Sequence, residues 1–129
     1  MLCVTGESRP GTSDCTNSQN ATINSALDRI YQNLEKIKKC MRDKFKDTHP
    51  EAADIVEDMI KKLNNRLYNS DGNSRIECEN SSLNSLCRLF GAAGYHFPIG
   101  GGGTIHICPQ TMDSINQTGF TVLHEFIHL

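Results

Sequence analysis

From Ile23 onward the apolar residues fall into a helical rhythm. Ile23, Leu27, Ile30, Leu34, Ile37, Met41 and Phe45 recur at spacings of three and four. That spacing returns one side chain per turn to the same face, and it predicts an amphipathic helix reaching to about Lys46. Asp28, Gln32, Glu35, Lys39 and Arg42 occupy the opposite face. Thr48-His49-Pro50-Glu51 then interrupts the pattern. Thr48 reads as an N-cap with Glu51 as its capping-box partner, and proline suits a first turn. A second helix is expected behind it, with Ala52, Ile55, Val56, Met59, Ile60, Leu63 and Leu67 as its apolar face. Asn69 to Ser74 closes it with a polar, glycine-containing loop.

The flanks are patterned differently. Residues 1–20 are rich in Gly, Ser, Thr and Asn and read as an irregular segment. Past residue 75, Ile76-Glu77-Cys78 suggests a short strand, and Ser82 to Leu89 a helical turn or irregular stretch. Ala92–Phe97 and Thr104–Cys108 read as two strands of a hairpin joined by Pro98 to Gly103. A turn-rich loop from Pro109 leads to a last helix, where Phe120, Leu123, Phe126 and Ile127 mark a buried stripe and Thr118 a plausible N-cap. The expected fold is α+β: two amphipathic N-terminal helices, a small antiparallel sheet, then the final helix. No βαβ repeat or dinucleotide fingerprint is visible, and no helix directly follows the glycine run at 100–103, so it reads as a turn and not a phosphate cradle.

The final helix carries the chemistry. His124-Glu125-Phe126-Ile127-His128 fits H-E-x-x-H. Two imidazoles at i and i+4 lie one turn apart on one face and can reach a single zinc ion, with Glu125 as the general base of a peptidase. A catalytic zinc takes three protein ligands and a water, and the motif supplies two. The bland alternative is an amphipathic helix with two surface histidines.

Composition narrows the setting. The 129 residues suffice for one domain, and the net charge of −2 gives no nucleic-acid footprint. The lysines between Lys36 and Lys46 interleave with apolar positions, as on the wet face of a helix. No apolar run is long enough to span a membrane. Six cysteines (Cys3, Cys15, Cys40, Cys78, Cys87 and Cys108) without a C-x-x-C pair favour disulfides over a cysteine zinc site. Sequons at Asn20, Asn80 and Asn116 agree with secretion. Met1-Leu2-Cys3-Val4 is too short for a signal-peptide core, so an incomplete or processed N-terminus is expected, with a cytosolic protein bearing free thiols as the alternative.

Taken together, the chain resembles the aspzincins, the deuterolysin and peptidyl-Lys metalloendopeptidase family of secreted zinc proteases. The resemblance rests on Cys15-Thr16-Asn17-Ser18-Gln19, Ile76-Glu77-Cys78, Cys87, Thr104-Ile105-His106-Ile107-Cys108-Pro109, and Thr118 to His128, in that order. It covers roughly residues 12–129, and its specific part is the last segment. It implies a zincin-like fold, with 21–129 as one catalytic domain cut short at its C-terminus. It also implies Zn²⁺ held by His124 and His128, Glu125 as base, and pairing of Cys15 with Cys78 and Cys87 with Cys108. Cys3 and Cys40 would pair with each other or with partners elsewhere. The family's third ligand is an aspartate in a Gly-Thr-x-x-Asp motif after the helix, and an oxyanion-stabilising tyrosine follows; neither occurs before Leu129.

The expected function is therefore a secreted, monomeric zinc metalloendopeptidase acting on protein or peptide substrates. These 129 residues are expected to be an incomplete fragment that binds zinc weakly and hydrolyses peptides poorly. The strand from Thr104 to Ile107 is a candidate edge for an extended substrate. Among the other possible ligands, His106 reads as a surface histidine, Asp113 as a loop residue bonding backbone amides, and His49 and His96 as cap-region and strand residues. The alternatives are a non-catalytic secreted helical binding module and a zincin of another family.

Overall fold

Thr16 starts the first helix with a reciprocal capping box. Its hydroxyl accepts from Gln19 N–H at 3.1 Å, and the Gln19 side chain accepts from Thr16 N–H at 3.0 Å. Two otherwise orphaned donors are satisfied in this way. The T-x-x-Q spacing was present in the sequence, whereas the expected Thr48-x-x-Glu51 box does not form. Thr48 instead lies inside a helix, with its hydroxyl on the Lys44 carbonyl at 3.0 Å. A computed structural model of the chain describes residues 8–80, 87, 91–97 and 102–128.

The long amphipathic stretch is two helices, α1 (Asn17–Gln32) and α2 (Leu34–Thr48). They meet at Asn33, whose φ of −112° and ψ of 11° leave the helical region. Its side-chain amide donates to the Arg29 carbonyl at 2.8 Å. This local bonding competes with helix propagation while leaving the apolar stripe in phase. A short 3-10 turn (Pro50–Ala52) leads to α3 (Ala53–Leu67). The stripe of α3 is narrower than expected: Val56, Ile60, Leu63 and Leu67 are buried, but Ile55 is exposed. Arg42 on α2 grips Glu57 on α3 through two bonds of 2.7 and 2.9 Å. Asn69, with φ of 51°, ends α3 in the left-handed conformation that asparagine tolerates.

Four strands form one sheet in the order β1 (Gly11–Ser13), β2 (Ser74–Cys78), β4 (Gly103–Ile107), β3 (Gly94–His96). This corrects the expected antiparallel sheet. β1–β2 and β2–β4 are parallel, and only the β3–β4 hairpin is antiparallel. The reason is connectivity: only the hairpin joins neighbouring strands by a short turn, whereas β1 reaches β2 through three helices, the crossover a parallel pair requires. Part of the supposedly irregular 1–20 segment is thus a strand, and a β–helix–β connection exists. The predicted turn over Ser82–Leu89 lies outside the described residues, apart from Cys87. The fold is α+β, with four α-helices and a mixed four-stranded sheet among the described residues.

Alternation along the strands sorts the two faces. Ile76, Cys78, Ile105 and Ile107 face the helices and join Ile23, Leu27, Ile30, Leu34, Leu63, Leu67, Met112, Val122 and Phe126 in the core. Two disulfides brace this sheet, Cys15–Cys78 and Cys87–Cys108, as the family resemblance implied. Cys40 is exposed and free, and Cys3 lies outside the described residues. Two disulfides are compatible with an oxidising, extracellular setting. Among the described residues no helix is long and apolar enough to cross a membrane.

Candidate functional site

A 3-10 turn (Pro109–Asp113) and Ser114 deliver the chain into α4 (Ile115–His128). Ser114 is the cap, accepting from Gln117 N–H at 3.2 Å. Thr118, the expected cap, is instead fully buried in the second turn, with its hydroxyl on the Ser114 carbonyl at 2.8 Å. The buried face of α4 also differs from the expected stripe. Thr118, Gly119, Thr121, Val122, Glu125 and Phe126 point inward, whereas Phe120 is 70 % exposed.

Inward rotation of the helix puts Glu125 against β3. Gly94 makes this possible. A Cβ there would meet Thr121 Cγ2 at 2.6 Å and the His106 carbonyl oxygen at 2.7 Å, so only glycine lets helix and strand approach this closely. The Glu125 carboxylate then reaches His96 Nδ1 at 2.7 Å. His96 also stacks on His128, with ring centroids 5.8 Å apart and planes 13° apart. His124 and His128 stand edge to face at 4.6 Å, and both are exposed. Phe120 stacks on His124 at 6.1 Å. A shallow groove of about 290 Å³ opens beside them, lined by Ala92, Ala93, Gly94, Phe120, Thr121, His124 and Glu125.

The motif residues are therefore brought together, and His96 joins them. Sequence reasoning set His96 aside because it has no ligand-spaced neighbour. Its partner lies 29 residues away, across a strand–helix contact that no local pattern reports.

A second group lies on the opposite face of the sheet. Glu77 and His106 are register partners on β2 and β4, and His106 and Tyr95 on β4 and β3. His106 Nδ1 lies 3.0 Å from Glu77 Oε2 and pairs closely with Glu79 Oε1. Tyr95 stacks on the His106 ring at 4.5 Å, and Phe97 meets it edge-on at 5.3 Å. His106 was expected on the polar face at the surface. The face is as expected, but the ring is buried. Among the described residues, Glu77, Glu79 and His106 are the set of three ligand-type side chains whose donor atoms lie within 4.8 Å of one another, and they could hold a metal ion.

The two carboxyls of this group respond oppositely to their surroundings. Burial, and then the hydrogen bond to Glu79, push Glu77 above the ordinary carboxyl range. Burial also works against ionisation of Glu79, but hydrogen bonds from Glu77, His106 and Tyr95 outweigh it and hold Glu79 below that range. One carboxyl keeps a proton that the other releases, as expected of two acids sharing a site.

The remaining candidates sit elsewhere. Asp113 is exposed at the end of its 3-10 turn. His49 is exposed between α2 and α3, with its Nδ1 3.3 Å from Glu51. The sequon asparagines Asn80 and Asn116 are exposed and Asn20 is half-buried; their side chains bond to Gln19, Arg29 and Thr12 respectively. The candidate edge for an extended substrate, β4, lies between β2 and β3, so its backbone is already engaged and cannot receive a further strand. No protein-family model, curated protein or solved structure matches this chain.

Proposed function

We propose that His124, His128 and Glu125 form the metal-binding and proton-accepting part of a secreted zinc metalloendopeptidase of the aspzincin type. The observation that carries this reading is the arrangement on α4. Two exposed imidazoles stand side by side, and a carboxylate with only 10 % of its side chain exposed is held next to them by His96. The nitrogen donors suit zinc, and their exposure leaves room for a water and a substrate, as a catalytic site requires. Zinc bound there would lower the pKa of a water and polarise a substrate carbonyl.

Glu125 would accept the proton of that water and deliver it to the departing amine. Its bond to His96 fixes one carboxylate oxygen and leaves the other, 4.0 Å from His124 Nε2, turned toward the histidine pair. The resemblance assigns the third ligand to an aspartate following the motif helix. An extended substrate would find an edge at β3, beside the groove and Glu125.

The test is zinc binding measured together with casein hydrolysis in a full-length version that supplies the third ligand. His124→Ala or His128→Ala should lose zinc from this site. Glu125→Gln should keep zinc and lose turnover. A protein indifferent to all three substitutions would be a binding module, with the motif accidental.

A further inference from the structure

Ser13, Glu77, His106 and Tyr95 make one register row across all four strands. Cross-strand partners share a face. The four side chains therefore stand on the side of the sheet away from Ile105, Ile107 and α4. Glu79, two residues beyond Glu77, closes on the same histidine nitrogen.

We propose that Glu77, Glu79 and His106, with the Ser13 hydroxyl beside them, form a closed site for one divalent cation of the zinc class, separate from the motif on α4. Three observations support it. First, both carboxylates face a single ring nitrogen, His106 Nδ1. That nitrogen carries at most one proton, so without an ion the second carboxyl is satisfied only by keeping its own proton and donating it to Glu79. A cation at the same point satisfies all three ligands together. Second, Ser13 Oγ is buried and has no hydrogen-bond partner among the described residues. It lies in the same row, on the strand beside Glu77 and on the same face of the sheet. An unsatisfied buried hydroxyl calls for an explanation, and an ion is one of the few available. Third, the surroundings match those of metal ligands. Tyr95 hydrogen-bonds Glu79 and stacks on His106, while Phe97 covers the ring edge. Such contacts orient ligands and exclude water.

The ligand set indicates the class of ion. One imidazole and two carboxylates suit zinc or manganese better than calcium, which takes oxygen alone. The His106 and Glu79 side chains are 11 % and 9 % exposed and that of Glu77 is 31 % exposed, so the site opens to solvent on the Glu77 side alone and leaves little room for a substrate. A closed site of this kind is structural. It would tie β2 to β4 at the Glu77–His106 pair, between the two disulfides.

The experiment uses the full chain with His124→Ala, His128→Ala, Cys3→Ser and Cys40→Ser, which removes the motif ligands and the other two cysteines as competing zinc ligands. After treatment with a chelator it is titrated with Zn²⁺ alone by calorimetry, and its melting is followed with and without zinc. One equivalent should bind and the melting temperature should rise. Loss of a group that only orients a ligand costs about 10–100-fold in affinity, so Glu79→Gln should cost about a hundredfold or more. Glu77→Gln, equally isosteric, should do the same, and Ser13→Ala should cost less. Absence of zinc binding in the folded background would overturn the proposal, as would binding that survives Glu79→Gln and Glu77→Gln unchanged. Because the motif histidines are absent throughout, failure here is distinct from failure of the peptidase reading.

Discussion

On the helix side of the sheet, His96, Glu125, His124 and His128 meet where α4 crosses β3; on the other side, Glu77, Glu79 and His106 meet under Tyr95. Both groups combine imidazole with carboxylate, yet they differ in access. The His124 side chain is 53 % exposed, that of His106 only 11 %. The first group grows from one helix, whose surface spacing presents both rings to solvent. The second is assembled from the neighbouring strands β2 and β4 and roofed by the rings of Tyr95 and Phe97. An open site can bind and release a substrate, whereas a closed one can only hold what it contains. The same two side-chain chemistries thus suit catalysis on one face and bracing on the other, and burial decides between them.

The comparison breaks most clearly at Glu125. If α4 carries the reaction, Glu125→Gln should lower kcat/KM for peptide hydrolysis by about a hundred- to ten-thousand-fold, the usual contribution of a general base. Zinc affinity at both sites should hold. Activity that persists would make the open group a mere surface feature.

The disulfides test how far each region depends on its braces. Cys15–Cys78 closes a loop of 63 residues and Cys87–Cys108 one of 21. By chain entropy, paired serine substitutions should cost about 4 and about 3 kcal/mol respectively in denaturant melts. Loss of Cys15–Cys78 should loosen β1 and β2, and so Ser13 and Glu77, more than the histidines of α4. Equal loss of zinc at both sites would deny that the two faces are braced separately.

Gly94 joins the two regions, since its missing Cβ faces Thr121 on α4 and the backbone of His106 on β4. Gly94→Ala should destabilise by about 1–3 kcal/mol through overpacking. Amide-exchange measurements should show α4 loosened first, because it can move while the hydrogen-bonded ladder of β4 cannot.

The smallest effect is a pH dependence confined to the closed group, read in chelator. Glu77 has a raised folded pKa, so its contribution is complete below the ordinary value of 4.5 and is lost as pH rises through the raised value. Glu79 is lowered, so its contribution is complete above 4.5 and is lost as pH falls. Together they stabilise most near the ordinary carboxyl value. Glu77→Gln should remove the upper slope from the pH profile of the denaturation midpoint; an unchanged slope would mean that the carboxyls do not share a proton.

Much of the architecture was legible where the relevant contacts are local. The helical stripe from Ile23 to Phe45 was correct in phase, but it concealed the break at Asn33, because the side-chain bond to Arg29 leaves the apolar spacing intact. The hairpin strands around residues 94–107 were readable from alternation. β1 was not, since three residues of Gly-Thr-Ser become a strand only by pairing with β2. Phe120 and Ile55 counted as core by spacing, yet the rotation of each helix against its neighbours left them outside.

The sequence by itself determined the α+β class, the apolar faces of the helices and the pairing of His124 with His128, all of which follow from the pitch of a helix or the alternation of a strand. The tertiary structure alone decided the parallel sheet order, the meeting of His96 with Glu125, and the half-buried row of Ser13, Glu77, His106 and Tyr95. Those features depend on strand register and on how closely a helix can approach a sheet. Both are set by non-local packing, which no short stretch of sequence contains.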